Sequence, residues 1–146
     1  MRLRFHHIGL VVPRLSELAE VFRSLGLKQA TQPEPDPIQK VTASFIAPEK
    51  GEGTYIELLE PLSDDSPITN FLKKTGGGLH HLCFEVEDID SVVNELVERG
   101  FKLVSAPVEC LGYDRSFRPG STQPTKIAFF LLDNKVLIEL LEEGKE

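Results

Sequence analysis

The chain has no tryptophan, one methionine and two cysteines among its 146 residues. So few cysteines exclude a disulfide scaffold, and Cys83 and Cys110 form no CxxC or zinc-finger spacing. Their scarcity suits the reducing cytoplasm. No apolar run approaches the roughly 20 residues that a membrane helix needs. The opening stretch MRLRFHH has no apolar h-region, so a secretory signal is not expected. Basic charge is not in excess either. Sixteen Lys and Arg against 23 Asp and Glu leave a net charge of −7, which argues against a broad cationic face for nucleic acid. A single anionic small molecule held by a local basic patch stays compatible with this balance. Hydrophobic content is 40%, as in soluble globular proteins, and the length suits one domain, 1–146.

Histidine is also scarce, and its placement is informative. All four histidines lie in two His-His pairs, in FHHIGLVV (5–12) and LHHLCFEV (79–86). The offset, 81 − 7 = 74, also pairs Leu15 with Ile89, Leu18 with Val92, Ala19 with Val93, Phe22 with Leu96 and Gly26 with Gly100. One register therefore holds through a strand, a turn, a helix and the glycine that ends it, which marks a duplication. The ends of the halves match as YIELLE (55–60) and LIELLE (137–142), at an offset of 139 − 57 = 82. The second half thus carries eight extra residues. The segment 107–125, PVECLGYDRSFRPGSTQPT, is expected to hold them as a long loop.

Each half reads as strand, helix, strand, strand, strand. The strands are expected near 5–12, 27–31, 40–47 and 54–59, then near 79–86, 101–105, 126–132 and 135–141. Gly26 and Gly100 sit as left-handed helix stops, and Asp88 as an N-cap. Ser66-Pro67 opens a linker helix near 66–75, and Asp133-Asn134 is expected as a hairpin turn. The fold class is α+β: two tandem βαβββ modules, about 5–60 and 79–142, forming one curved mixed sheet around a metal site.

The chemistry follows from the repeat. Glu57 and Glu139 interrupt otherwise apolar strands, and an unpaired buried carboxylate costs several kcal/mol. Each half supplies one histidine and one glutamate. His7, Glu57, His81 and Glu139 would then hold one divalent metal, with positions left open for substrate oxygens. Duplication preserves core residues by itself, but need not preserve the same two metal-capable residues in both copies. Glu60, Glu142 and Glu143 read as solvated. His6 and His80 read as structural, on the opposite face of each strand.

These features resemble the vicinal oxygen chelate superfamily. YIELLEPLSDDSPITNFLKKTGGGLHHLCFEVEDID closely resembles the methylmalonyl-CoA epimerases. The resemblance covers about residues 5–142 and is weakest in 107–125. It implies His7 and His81 as histidine ligands, Glu57 and Glu139 as carboxylate ligands, and Co, Ni, Zn or Mn as the metal. It also implies a homodimer and a small-molecule substrate of the acyl-CoA kind. The activity implied is α-proton transfer through a metal-stabilised enolate. KVTASFIA carries no acid where some epimerases place a candidate base, so Glu139 or Glu57 is expected to double as ligand and base. Arg115, Arg118 and Lys126 are candidate cations for a CoA. A glyoxalase I-like lyase fits the same four ligands. A resistance-type binder of this fold typically lacks them.

Overall fold

The two His-His strands lie side by side at the centre of the molecule. The protein is described here by a computed structural model that covers residues 3–47, 54–133 and 135–145. Module one comprises β1 (Leu3–Val11), α1 (Leu15–Ser24), β2 (Lys28–Gln29), β3 (Glu34–Asp36), β4 (Val41–Ala47) and β5 (Tyr55–Pro61). Helix α2 (Pro67–Thr75) links it to module two. That module comprises β6 (Gly78–Val86), α3 (Ile89–Glu98), β7 (Lys102–Glu109), α4 (Leu111–Phe117), β8 (Lys126–Leu131) and β9 (Leu137–Glu142).

The sheet order is β2-β4-β5-β1-β6-β9-β8-β7, with β3 paired to β4 off this path. It reads the same from either end. β1 pairs β5 in parallel, β6 pairs β9 in parallel, and β1 and β6 meet antiparallel at the pseudo-twofold axis. The expected mixed sheet of two tandem modules is thus observed.

Strand alternation divides the faces. On the outer face Ile56 and Leu58 of β5 pack against Leu15 and Ala19 of α1. Ile138 and Leu140 of β9 pack against Ile89, Val92 and Val93 of α3 in the same way. Each fully buried aliphatic side chain contributes roughly 1.5–3 kcal/mol. On the inner face Tyr55, Glu57 and Leu59, and Leu137, Glu139 and Leu141, turn inward and line or border a cavity.

The helix ends hold a correction. Glu60 and Glu142 are not simply solvated. Glu60 Oε2 accepts from the backbone N–H of Leu15 at 2.9 Å, and Glu142 Oε2 accepts from that of Ile89 at 2.7 Å. A carboxylate there satisfies a free N–H and faces the positive end of the helix dipole. Asp88 also caps α3, accepting from Ser91 N at 3.0 Å, and Ser66 caps α2 by accepting from Ile68 N at 3.4 Å. Arg14 gives α1 no side-chain cap, which leaves Glu60 as its cap among the described residues.

Two elements were not expected. β3 is three residues long and contains Pro35, too short for a periodic signal. The segment 107–125 is not one long loop. β7 runs through Glu109, and α4 follows with Gly112 and Tyr113 buried. Asp36 fastens α4 to module one. Its carboxylate accepts from the N–H groups of Ile38, Gln39 and Gly112, each at 3.0 Å. Asp114 closes the segment by accepting from Thr125 N and Oγ1 at 2.9 and 2.6 Å. Of the Asp133-Asn134 turn, Asn134 lies outside the described residues.

Gly77 joins the modules at φ 104°, and a Cβ there would lie 2.6 Å from the Val11 carbonyl oxygen. Gly78 has φ 118° with open space around it. Gly77→Ala is therefore expected to cost more than about 1 kcal/mol and to lower Tm by roughly 2–4 °C for each kcal/mol lost. Gly78→Ala carries the backbone strain alone and should cost less. Parallel thermal melts check this ranking, and equal Tm values would refute it.

Candidate metal centre

Neighbouring residues on a regular strand face opposite sides of the sheet. Both His-His pairs break this rule, for one reason. The pairing of β1 with β6 steps from Phe5↔Phe84 to His7↔Cys83, leaving His6 as an extra residue. It steps again from Gly9↔His81 to Leu10↔Leu79, leaving His80 as an extra residue in β6. Each step is a bulge, which re-aims the side chains around it. His6 Nδ1 accordingly lies 2.7 Å from His7 Nδ1, and His80 Nδ1 lies 2.9 Å from His81 Nδ1. The expected placement of His6 and His80 on opposite faces is corrected by these bulges.

The outer ring nitrogens converge. His7 Nε2 is 3.0 Å from His81 Nε2, and 3.3 Å from both Glu57 Oε1 and Glu139 Oε1. His81 Nε2 is 3.3 Å from Glu57 Oε1 and 3.9 Å from Glu139 Oε2. Donors held about 2.1 Å from one ion lie about 3.0 Å apart at right angles and about 3.4 Å apart at the tetrahedral angle. The separations among His7, Glu57 and His81, and that of His7 from Glu139, match that range, while Glu139 stands farther from His81 at 3.9 Å. All four side chains come from one chain, and His7, His81 and Glu139 are almost wholly buried. Two such carboxylates facing two imidazoles form a donor set that fits a divalent cation.

The backbone is shaped to this cluster. A Cβ on Gly9 would overlap the His81 ring, so only glycine fits opposite that histidine. Its counterpart in the repeat, Cys83, lies opposite His7 and is fully buried. Burial and the nearby Glu139 carboxylate push the Cys83 thiol up, away from thiolate chemistry.

Burial alone would push the His7 imidazolium down, but the Glu57 and Glu139 carboxylates outweigh it and hold it at about 10. Burial likewise opposes ionisation of the two glutamates. His7 and His81 overcome it and hold both carboxyls below their ordinary range. His6 and His80 go the other way, to about 4, through burial and the adjacent His7 or His81.

His6 is further tied. Its Nε2 lies 3.2 Å from the Tyr113 hydroxyl, which donates to Glu143 Oε2 at 3.0 Å. Arg118 donates to Glu143 Oε1 at 2.7 Å. Glu143 is therefore not simply solvated, since it anchors α4 to the end of β9. The cavity beside the cluster has a volume of about 440 Å³ and draws its walls from both modules and α4. Its lining contains no Lys or Arg among the described residues. Arg118 is engaged with Glu143, Arg115 lies 3.8 Å from Glu34, and Lys126 lies 3.6 Å from Asp90. Tyr113 was missed in the sequence, although Tyr113 and Phe117 at i, i+4 are a helical signal.

A model of the Glyoxalase/Bleomycin resistance protein/Dioxygenase superfamily matches residues 6–117. Ethylmalonyl-CoA/methylmalonyl-CoA epimerase of Cereibacter sphaeroides is 38% identical over 104 residues, covering 70% of this chain and 75% of that protein. The mitochondrial methylmalonyl-CoA epimerase of Homo sapiens is 34% identical over 107 residues, covering 73% of this chain and 59% of that protein. The match thus spans less than two thirds of the human relative. The crystal structure of methylmalonyl-CoA epimerase from Mycobacterium tuberculosis aligns with a TM-score of 0.78 at 27% identity, covering 95% of this chain and 87% of that one.

The buried charges set a pH dependence. A raised histidine stabilises the fold fully below its ordinary value of 6.5 and loses that contribution between 6.5 and about 10. Depressed carboxyls stabilise it above 4.5 and lose the contribution as pH falls below that value. These three groups favour the metal-free fold most between pH 4.5 and 6.5, while His6 and His80, held down at about 4, disfavour it as pH falls below 6.5, so the stability maximum is expected at the upper end of that window. Metal binding must displace the His7 proton, so Co²⁺ affinity should rise about tenfold per pH unit from about pH 7 to 9. Thermal melts and Co²⁺ titrations across this range check both trends. An affinity independent of pH would refute the assignment.

Proposed function

The chain belongs to the glyoxalase/bleomycin resistance/dioxygenase superfamily, and from that premise we propose that it is a metal-dependent isomerase of the methylmalonyl-CoA epimerase type. The observation that carries this reading is the symmetry of the carboxylates. Glu57 and Glu139 reach one point from equivalent strands of the two modules. Epimerisation requires a proton to leave one face of a carbon and another to arrive at the opposite face. Two acid–base groups related by a pseudo-twofold axis suit that demand.

His7, Glu57, His81 and Glu139 would hold the ion. A divalent ion there supplies Lewis-acid stabilisation of the enolate that forms when an α-proton is removed. One glutamate accepts the α-proton, and the other, which must first take up a proton against the histidine pairing that favours its ionised form, returns a proton to the opposite face. Only the two carboxyls' protonation states change over the cycle. Glu57 uses Oε1 toward both histidines, which leaves Oε2 to accept a proton. Phe45, Ile127, Phe129 and Leu141 give the cavity apolar walls beside these carboxyls.

A cavity of about 440 Å³ without lining cations suits the acyl end of an acyl-CoA. The phosphates would remain outside, where Arg115 is half exposed and is the cation proposed to meet them. Arg118 braces Glu143, and Lys126 turns to Asp90 of α3 on the outer face, away from the cavity. A cytoplasmic homodimer belongs to the same reading. No helix among the described residues is long and apolar enough to cross a membrane.

Co²⁺-loaded protein incubated with methylmalonyl-CoA in deuterated water is expected to incorporate α-deuterium. Glu57→Gln and Glu139→Gln each keep an oxygen donor but lose the proton acceptor, and should slow exchange by at least about 100-fold. A Glu139→Gln protein that retains metal and full turnover would remove its catalytic role. Turnover of a hemithioacetal without α-exchange would move the assignment to a glyoxalase I-like lyase.

A further inference from the structure

The two bulged histidines begin alike and end differently. Each bonds through Nδ1 to the Nδ1 of the next histidine, at 2.7 Å for His6 and 2.9 Å for His80. His6 then spends its second nitrogen on the Tyr113 hydroxyl and lies outside the cavity lining. His80 is only half buried, lines the cavity, and has no hydrogen-bond partner for Nε2 among the described residues. Its ring is held edge-on by Phe71 of α2 at a centroid distance of 5.0 Å. The duplication has therefore produced one locked histidine and one whose far nitrogen remains available.

The direction of hydrogen bonding follows from the ligand set. A histidine that gives Nε2 to a metal keeps its proton on Nδ1. His81 Nδ1–H then donates to His80 Nδ1, which must be the acceptor, so the neutral His80 ring carries its proton on Nε2. We propose that His80 is a substrate-contacting residue that donates from Nε2 to an oxygen of the ligand bound in the cavity, in addition to orienting His81. This deepens the epimerase reading and rests on it for the identity of the substrate. The ligand class it selects has a third oxygen near the two that chelate, such as the free carboxylate of a malonyl-type acyl group.

The test separates the two nitrogens of His80. Asparagine places its amide oxygen where the ring has Nδ1, so H80N keeps the acceptor for His81 and removes only the far donor, whereas H80F removes both. Co²⁺ affinity should stay within about twofold of wild type in H80N and fall about 10- to 100-fold in H80F. KM for methylmalonyl-CoA in the deuterium-exchange assay should rise at least tenfold in H80N. Wild-type KM in H80N would overturn the proposal. So would a loss of Co²⁺ affinity in H80N equal to that in H80F, because His80 would then serve His81 alone. If the wild-type protein exchanges no deuterium, the epimerase reading fails on its own. His80 is then judged with malonate, which chelates through one oxygen of each carboxylate and keeps further oxygens free, titrated against the visible spectrum of the Co²⁺ protein. Tenfold weaker binding to H80N sustains the contact, and unchanged binding refutes it.

Discussion

The antiparallel ladder between β1 and β6 is the interaction on which the rest of the molecule depends. It joins two copies of one module so that the His7 and His81 ring nitrogens meet 3.0 Å apart across the axis. β5 and β9 then lie outside β1 and β6, in parallel, and bring Glu57 and Glu139 to the same point. Helices α1 and α3 cover the outer face, so the inner face is left concave and available. A one-residue slip in the ladder would turn the metal-capable side chains away from one another.

The bulges make that ladder more than a scaffold. A regular strand would send His6 and His80 to the helix side, into apolar packing. Two extra residues bring them back beside the rings of His7 and His81, where they fix ring orientation. The cluster is costly to bury, since several kcal/mol attend each charge removed from water. The mutual pairing of His7 with Glu57 and Glu139 offsets that cost in the absence of an ion, and an ion would take over the role. The same strong pairing makes the centre responsive to pH.

Module two departs from module one where an enzyme most needs shape. The eight extra residues build α4, whose Tyr113 and Phe117 pack against Phe45 and Tyr55 of module one. Asp36 and Glu143 hold it there from opposite sides. One half of the pseudo-symmetric site is thereby closed by Tyr113, and the other stays open at His80.

Much of this was legible in the order of the residues. Repeats at offsets of 74 and 82 defined the modules, and one histidine and one glutamate in each named the four side chains that the fold brings together, because both readings need only local pattern and equivalence. The caps by Glu60 and Glu142 were not legible, since they act over 45 and 53 residues. Nor was α4, whose seven residues are too few to hold a helix without the aromatic wall of module one. The bulges were hidden for the same reason. A bulge exists only relative to a partner strand, and here the partner lies some 74 residues away. The sequence by itself determined which residues are repeated and which of them carry imidazole or carboxylate groups. Only the tertiary structure decided which face each histidine takes, because that choice is made by pairing between strands.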